Sequence, residues 1–359
     1  MKNVLHIFYS GLGGHGNVFF SLLKADKFHK YQTSVLLYGI ENPREEYTNR
    51  FKKLKIKNSY VKKIQGLDIK FWFRVYKKIV ASKPDIVFLH GSYNALPAIF
   101  YRIFNWKTKI IIRETQANHL KTNIQWVLLS FCLLFSDKIV FLSTEYRAEI
   151  KKRLWLFYQK KRIEVIPNGI DLDFFKPQIN TISNGSVIKI GMVSRVVPIK
   201  DHETLIKAFA QLGIKDVQLE IAGDGTTLKE LKELAKKLGM SEKITFHGML
   251  NESDLPDFFQ SLDIYVHATY GETMSTAIMQ AQACALPIIA SNVDGVKNII
   301  IHNDTGLLVE LKDVEDLKKQ LLLLINDEQL RIKFSQSSIN YAYDRLSMNR
   351  MFHSYEQIF

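Results

Sequence analysis

Cysteine is nearly absent: Cys132 and Cys284 are the only two in 359 residues, and both stand inside apolar runs. That excludes a disulfide-stapled scaffold and a cysteine-built zinc centre, and it suits small buried hydrophobes in a reducing compartment. Long hydrophobic runs are missing as well. The longest, Trp126 to Phe135 (WVLLSFCLLF), falls well short of the roughly 20 residues a membrane-spanning helix needs. It is expected to form a buried helix, with a peripheral membrane contact as the lesser alternative. No signal segment precedes the first strand-like stretch, Val4 to Phe8, so a cytoplasmic protein is expected. No period of roughly 20 to 50 residues recurs, so a solenoid is not expected. A hydrophobic content of 47% over 359 residues is enough to fill two cores.

Acidic charge is scarce in one half only. Residues 1–170 carry 30 Lys+Arg and 11 Asp+Glu, a net of +19, while the remaining 189 carry 19 and 25, a net of −6. The basic excess lies in Arg50–Lys57, in Lys70–Lys78, and in Lys151–Arg153 through Lys160–Arg162. The second stretch has helical spacing, with Phe71, Trp72, Val75 and Ile79 on one face and Phe73 and Tyr76 beside cations. Basic residues interleaved with aromatics suit an anionic membrane surface or a lipid-linked acceptor. They also suit single-stranded nucleic acid or a plainly solvated face. The membrane or lipid reading is preferred, and no nucleic-acid partner is expected.

The densest chemistry runs from Val266 to Ser291, VHATYGETMSTAIMQAQACALPIIAS. A short apolar strand, Ile264 to Val266, ends in the polar turn Ala268-Thr269-Tyr270-Gly271, followed by the isolated acid Glu272. From Ser275 the pattern turns helical and stops before Pro287, whose segment Pro287 to Ala290 reads as the next buried parallel strand. Ligands of open α/β sheets bind at the carboxyl ends of strands, and a helix N-terminus there favours a phosphate. Three further strands end alike. Val187–Val193 runs into a loop carrying Arg195 and Lys200 before a helix at Glu203–Leu212. Val217–Ile221 ends in Ala222-Gly223-Asp224-Gly225, and Ile244–Phe246 ends in His247-Gly248-Met249. Two cations, an acid and a helix N-terminus at one sheet edge suit a charged sugar diphosphate.

The N-terminal half reads as a second doubly wound sheet. Its strands end at His90-Gly91-Ser92, at Arg113-Glu114-Thr115 and at Ser143-Thr144-Glu145. By the carboxyl-end rule His90, Arg113, Glu114 and Ser143 face the ligand edge, with His119 a weaker candidate. Arg113 and Glu114 pairing with each other is an equal alternative. His6, His29 and His202 are expected to be surface or packing residues. Gly11, Gly13 and Gly16 satisfy G-x-G-x-x-G after a strand, but a nicotinamide enzyme also needs an acid at the end of the second strand. That strand, Thr33–Leu37, is followed by Tyr38-Gly39-Ile40, and Glu41 comes too late.

The succession SRVVPIKDHETLIKAF, LEIAGDG, FHGML, DIYVHATYGETMSTAIMQAQACALPIIAS and DGVKNIIIHNDTGLLV resembles the C-terminal domain of the retaining glycosyltransferases of family 4. Ile166-Pro167-Asn168-Gly169-Ile170-Asp171 is similar to that family's interdomain signature, and Ser10–Gly16 to its first glycine loop. The resemblance implies an α/β chain of GT-B fold, two Rossmann-like domains facing across a cleft, over about 1–170 and 171–340. A C-terminal helix, about 341–359, is expected to cross back onto the first. It implies transfer from a nucleotide-diphosphate-sugar, UDP-sugar favoured and GDP-sugar possible, to a saccharide acceptor, with retained configuration and without metal or other cofactor. The lack of a D-x-D-like acidic pair on a cleft loop is consistent with that.

By the same resemblance Arg195 and Lys200 stabilise the leaving diphosphate. Glu272, the first acid of the family's E-x7-E signature, contacts the donor sugar, while Met274, Ser275 and Thr276 cap the phosphate. Gly13, Gly14 and Gly16 lie near the donor diphosphate or acceptor, and Gly223, Gly248 and Met249 line the nucleotide. By the carboxyl-end rule, His90, Arg113, Glu114 and His119 are the acceptor-side candidates. The signature's second acid is Gln280 here, which can hydrogen-bond ribose hydroxyls but lacks the charge. A catalytically weak sugar-nucleotide-binding protein therefore stays open beside the enzyme.

Overall fold

A computed structural model describes residues 1–11, 14–65, 68–177 and 187–359, and for His119 the backbone only. The chain divides into two compact units, Met1–Gly169 together with Met348–Phe359, and Ile170–Ser347.

The first unit is built on seven strands: β1 (Lys2–Tyr9), β2 (Tyr31–Gly39), β3 (Lys57–Lys62), β4 (Ile86–Leu89), β5 (Lys109–Arg113), β6 (Lys138–Phe141) and β7 (Ile163–Val165). They form one parallel sheet in the order β3-β2-β1-β4-β5-β6-β7. Helices α1 (Gly14–Ala25), α2 (Glu45–Lys53), α3 (Ile69–Ser82), α4 (Ala95–Phe104), α5 (Asn123–Phe135) and α6 (Thr144–Arg153) cover its faces. The central strands read as unbroken apolar runs because both faces are buried. Leu5, Ile7, Val87, Leu89, Ile110 and Ile112 point into a core with Phe71, Val75 and Ile79 of α3 and Leu129 and Cys132 of α5. Val4, Phe88, Ile111 and Val140 point the other way, toward Val18 and Leu22 of α1.

One sequence expectation changes here. α5 is not buried all round: Trp126, Leu129, Cys132 and Leu133 are covered, whereas Val127, Phe131 and Phe135 are 55%, 42% and 47% exposed. A helix meets a sheet with one stripe only, so a wholly apolar run leaves its outer face in solvent. The sequence left open whether the basic stretches share one surface, and those of α2 and α3 do not. Tyr47 and Phe51 of α2 pack with Phe8, Phe19 and Phe20, while α3 packs on the opposite face of the sheet.

The second unit holds β8 (Ile188–Val193), β9 (Val217–Ala222), β10 (Ile244–Gly248), β11 (Ile264–His267), β12 (Ile288–Ser291) and β13 (Gly306–Val309), parallel and ordered β10-β9-β8-β11-β12-β13. Its helices are α7 (His202–Ala210), α8 (Leu228–Lys237), α9 (Leu255–Gln260), α10 (Thr276–Ala283), α11 (Asp294–Lys297), α12 (Val314–Asn326) and α13 (Glu328–Arg345). Residues 341–345 thus finish α13, and the return to the first unit starts at Met348 with α14 (Met348–Glu356). Met348, Met351, Phe352 and Tyr355 of α14 are buried, at the spacing of a single helical stripe. They join the Val4, Phe88 and Ile111 side of the sheet, and Lys2 and Lys109 ammonium groups hold the Phe359 carbonyl at 2.9 and 3.2 Å.

Both sheets are Rossmann-like and reverse their strand order once, between β1 and β4 and between β8 and β11. The carboxyl ends of strands at such a switch point are where this architecture takes ligands.

Candidate functional site

At the switch point of the second unit two loops meet. The loop after β8 is pinned at both ends: Val196 N–H donates to the Asp224 carbonyl at 2.9 Å, and Asp201 N–H donates to the Ala268 carbonyl at 3.2 Å. Between them Tyr270 N–H donates to the Ile199 carbonyl at 2.9 Å. Asp201 then caps α7 by accepting from Thr204 N–H. These bonds tie the loop carrying Lys200 to the loop carrying Glu272, and the two side chains form an ion pair.

His267, the last residue of β11, sits beneath that pair and is 1% exposed. Its Nε2 lies 3.3 Å from Lys200 Nζ, from Glu272 Oε2 and from Ser275 Oγ. Its Nδ1 lies 3.1 Å from the Tyr265 hydroxyl, which donates to the Val193 carbonyl at 3.3 Å. Burial, and then Lys200, push the imidazole below its ordinary pKa against the opposing pull of Glu272, so His267 is neutral. Burial alone would raise the Glu272 carboxyl, but Lys200 and His267 outweigh it and hold it at about 2. The result is a charged ammonium–carboxylate pair resting on a neutral, hydrogen-bonding floor. Sequence reasoning passed over His267. Its signal was a polar residue closing an otherwise apolar strand, five positions before the isolated acid.

Ser275 caps α10, its Oγ accepting from Ile278 N–H at 3.4 Å. The first turn of α10 therefore opens directly behind Glu272, with Thr276 half-buried and Met274 buried. α10 is buried on every side from Ile278 to Ala283, Gln280 included, so it is a central wedge with no separate apolar face. Glycine is required at two contacts around the site. A Cβ on Gly223, at φ +140°, would stand 1.8 Å from the Ser194 carbonyl oxygen, and one on Gly295 would stand 2.0 Å from the Glu272 carbonyl oxygen. These glycines let the β9 loop and α11 press against the two loops that carry the charges.

The structure brings Lys200, Glu272 and Ser275 together and leaves Arg195 apart from them. Arg195 is exposed, and its guanidinium has no hydrogen-bond or ion-pair partner among the described residues. Gly223 and Gly248 adjoin each other, Gly223 N–H donating to the Gly248 carbonyl at 2.7 Å, and Met249 beyond them is 43% exposed.

In the first unit Gly14 and Gly16 stand in the opening turn of α1, and His90 and Arg113 lie buried at the ends of β4 and β5. Gly13 and the side chain of His119 lie outside the described residues. Arg113 and Glu114 do not pair, because neighbours on a strand point to opposite faces. Arg113 instead donates to Asn168 Oδ1. Glu114 lies 3.4 Å from the Lys121 ammonium, and Ser143 caps α6 by accepting from Tyr146 N–H at 3.1 Å. His6 and His202 are buried and hydrogen-bonded rather than surface residues.

Two family models match the chain, "Glycosyltransferase Family 4" over residues 12–174 and "Glycosyl transferases group 1" over 176–342. The UDP-Gal:alpha-D-GlcNAc-diphosphoundecaprenol alpha-1,3-galactosyltransferase of Escherichia coli is 25% identical over 290 residues, 74% of this chain and 72% of that protein. Among solved structures, Anabaena HepE in complex with UDP and glucose superposes with a TM-score of 0.83 at 16% identity, covering 100% of this chain and 99% of that one. A glycosyltransferase from Rickettsia africae gives 0.83 at 20% identity, over 99% and 97%.

Proposed function

The chain belongs to glycosyltransferase family 4, and from that premise we propose that it moves a sugar from a UDP-sugar to a hydroxyl of a lipid-linked saccharide, with the anomeric configuration retained. The observation that carries this reading is the Lys200–Glu272 pair held over neutral His267 at the start of α10. As the anomeric C–O bond breaks, negative charge builds on the β-phosphate. An ammonium on a pinned loop, with Arg195 exposed on the same loop, stabilises that charge without having to reorganise. Glu272, kept ionised by its neighbours, accepts hydrogen bonds from sugar hydroxyls, while the first N–H groups of α10 face the diphosphate. The positive charge comes from side chains, so no metal is assigned a part. UDP is preferred over GDP because HepE was solved with UDP and the Escherichia coli relative is named for UDP-Gal. That name also supports a lipid diphosphate acceptor.

A weakly active sugar-nucleotide-binding protein is the second reading, favoured by Gln280 where the family signature has an acid. A thermal-shift screen over UDP, GDP, ADP and their sugars, followed by measurement of nucleotide release, separates the two, since a bound ligand raises apparent stability. UDP and one UDP-sugar should raise Tm, and the acceptor should trigger UDP release.

The acceptor's lipid implies that the enzyme works at a membrane surface. The outer faces of α3, α4 and α5 support this: Phe73, Phe100, Ile103, Phe104, Trp106 and Phe131 are 42% to 77% exposed. Lys77 lies over the Phe73 ring at 4.7 Å and Lys107 over Trp106 at 5.4 Å. Exposed aromatics edged by lysines match an anionic interface. No described helix is long and apolar enough to cross a membrane.

A further inference from the structure

Lysine is a poor choice for a cation that must stand still, because its ammonium ends a flexible stem and its three donors rotate. Around Lys200 two buried histidines counter that freedom, one at the main chain and one at the ammonium. His202 opens α7, and its backbone N–H and its Nδ1 each lie 2.7 Å from the Lys200 carbonyl oxygen. A carbonyl only accepts, so Nδ1 carries the ring proton. Nε2, 3.1 Å from Ser194 Oγ, then accepts from that hydroxyl. Burial above all holds His202 at about 4, so this ring is neutral and the main chain of Lys200 is fixed.

At the other end the direction of each bond follows from the Val193 carbonyl. It accepts from the Tyr265 hydroxyl at 3.3 Å. Having given its proton there, that hydroxyl can meet His267 Nδ1, 3.1 Å away, only as an acceptor. Nδ1 is therefore the protonated nitrogen, and Nε2 presents a lone pair. Lys200 Nζ and Ser275 Oγ, both 3.3 Å from Nε2, are donors that suit it. Glu272 Oε2 at the same distance is an acceptor, and it takes its proton from the Lys200 ammonium instead. The reverse tautomer would set an N–H against the ammonium and turn the tyrosine away from Val193. Both Tyr265 and His267 are buried, which favours the arrangement that satisfies every group.

We propose that Tyr265 and His267 are positioning residues for Lys200: the relay from Val193 through Tyr265 fixes the His267 tautomer, and the imidazole lone pair aims the ammonium. One ammonium N–H goes to the ring and one to Glu272, which leaves the third for a phosphate oxygen of the donor. A cation aimed in advance stabilises charge on the leaving diphosphate without reorganising as the bond breaks. That consequence for the rate rests on the transferase reading. The tautomer of His267 does not, and it belongs to the protein without substrate.

Nitrogen NMR of the full-length protein with isotope-labelled histidines reads the tautomer directly, the His267 signals being those lost in His267→Gln. Wild type should carry the proton on Nδ1, and Tyr265→Phe should move His267 toward the Nε2–H form. In transfer assays Tyr265→Phe and His267→Leu should lower kcat roughly tenfold or more, as for one hydrogen bond to a charged group, with KM for the UDP-sugar little changed. His267→Gln, whose amide oxygen can stand where Nε2 stood, should recover most of that loss. A wild-type ring protonated on Nε2, a kcat unchanged in Tyr265→Phe, or a glutamine variant as slow as the leucine one overturns the proposal. If His267→Leu does not fold, Tyr265→Phe decides, since it deletes only a hydroxyl. If wild type transfers no sugar, the transferase reading fails, and the NMR measurement alone decides whether the relay exists.

Discussion

The two switch points are built from the same strand order and differ in how charge is balanced. In the second unit Lys200 and Glu272 neutralise each other over a neutral histidine, on loops pinned by backbone hydrogen bonds. In the first, Arg113 is buried and bonded to the Asn168 amide, burial lowering its guanidinium pKa against the opposing pull of Tyr355 and Glu114. A matched pair is stable on its own and can be reoriented by a ligand that offers phosphate to the lysine and hydroxyls to the carboxylate. A buried cation with no direct ion pair is costly to the fold. One site is thus ready to exchange partners, and the other holds its cation within the packed fold.

The largest expected effect of breaking this contrast is on the matched side. Lys200→Ala and Arg195→Ala should each lower transfer by about 10²–10³ while leaving the fold intact, as loss of one donor to developing charge does. Initial rates with saturating donor check this, and near-normal turnover would remove either residue from the mechanism. Lys200→Ala carries a second signature, because it strips Glu272 of its main counter-charge.

Gly223→Ala and Gly295→Ala should come next. The new methyl would collide with a backbone carbonyl oxygen in both, and at Gly223 the positive φ adds strain, so each should cost of the order of 1–3 kcal/mol. Urea unfolding midpoints measure the loss, and UDP affinity should fall with it, since both glycines pack against the charged loops.

The carboxylate sharpens the comparison through pH. Glu272 titrates at about 2 when folded, below its ordinary 4.5. A depressed carboxyl stabilises the fold above its unfolded value, and that contribution is lost as pH falls from about 4.5 toward 2, roughly 3 kcal/mol in full. Glu272→Gln should therefore flatten the acid limb of stability between those values. Equal acid limbs in variant and wild type would mean that the pair is not formed.

Membrane docking is the smallest effect and has a built-in control. Each cation near an anionic surface contributes roughly 1 kcal/mol, screened by salt. Reversing Lys77 and Lys78 should release the protein from anionic vesicles, whereas reversing Lys52 and Lys53, on the opposite face of the sheet, should not. Equal release by both pairs, or no vesicle binding by wild type, would leave the aromatic face without a lipid role.

Much of the second unit was legible because its strands are short apolar runs that each end in a polar or glycine loop, so Lys200, Glu272 and the cap of α10 could be placed on one edge from order alone. His267 was not, because a histidine closing a strand looks like any packing residue until its three neighbours are in place. In the first unit the burial of α5 was overread, since a run apolar at every position says nothing about which side meets the sheet. The opposed directions of Arg113 and Glu114 follow from strand alternation, but only once the strand is known to extend through Arg113. The cover over Arg113 comes partly from α14, whose Tyr355 returns from the far end of the chain.

The most direct test counts products. With the favoured UDP-sugar and a lipid diphosphate saccharide, wild type should release one UDP for each sugar transferred, the product's anomeric signal in NMR should match that of the donor, and Lys200→Ala should lose both together. UDP binding with no acceptor-dependent release, for every sugar tried, would contradict the transferase chemistry assigned to Lys200 and Glu272 and leave a binding protein in its place.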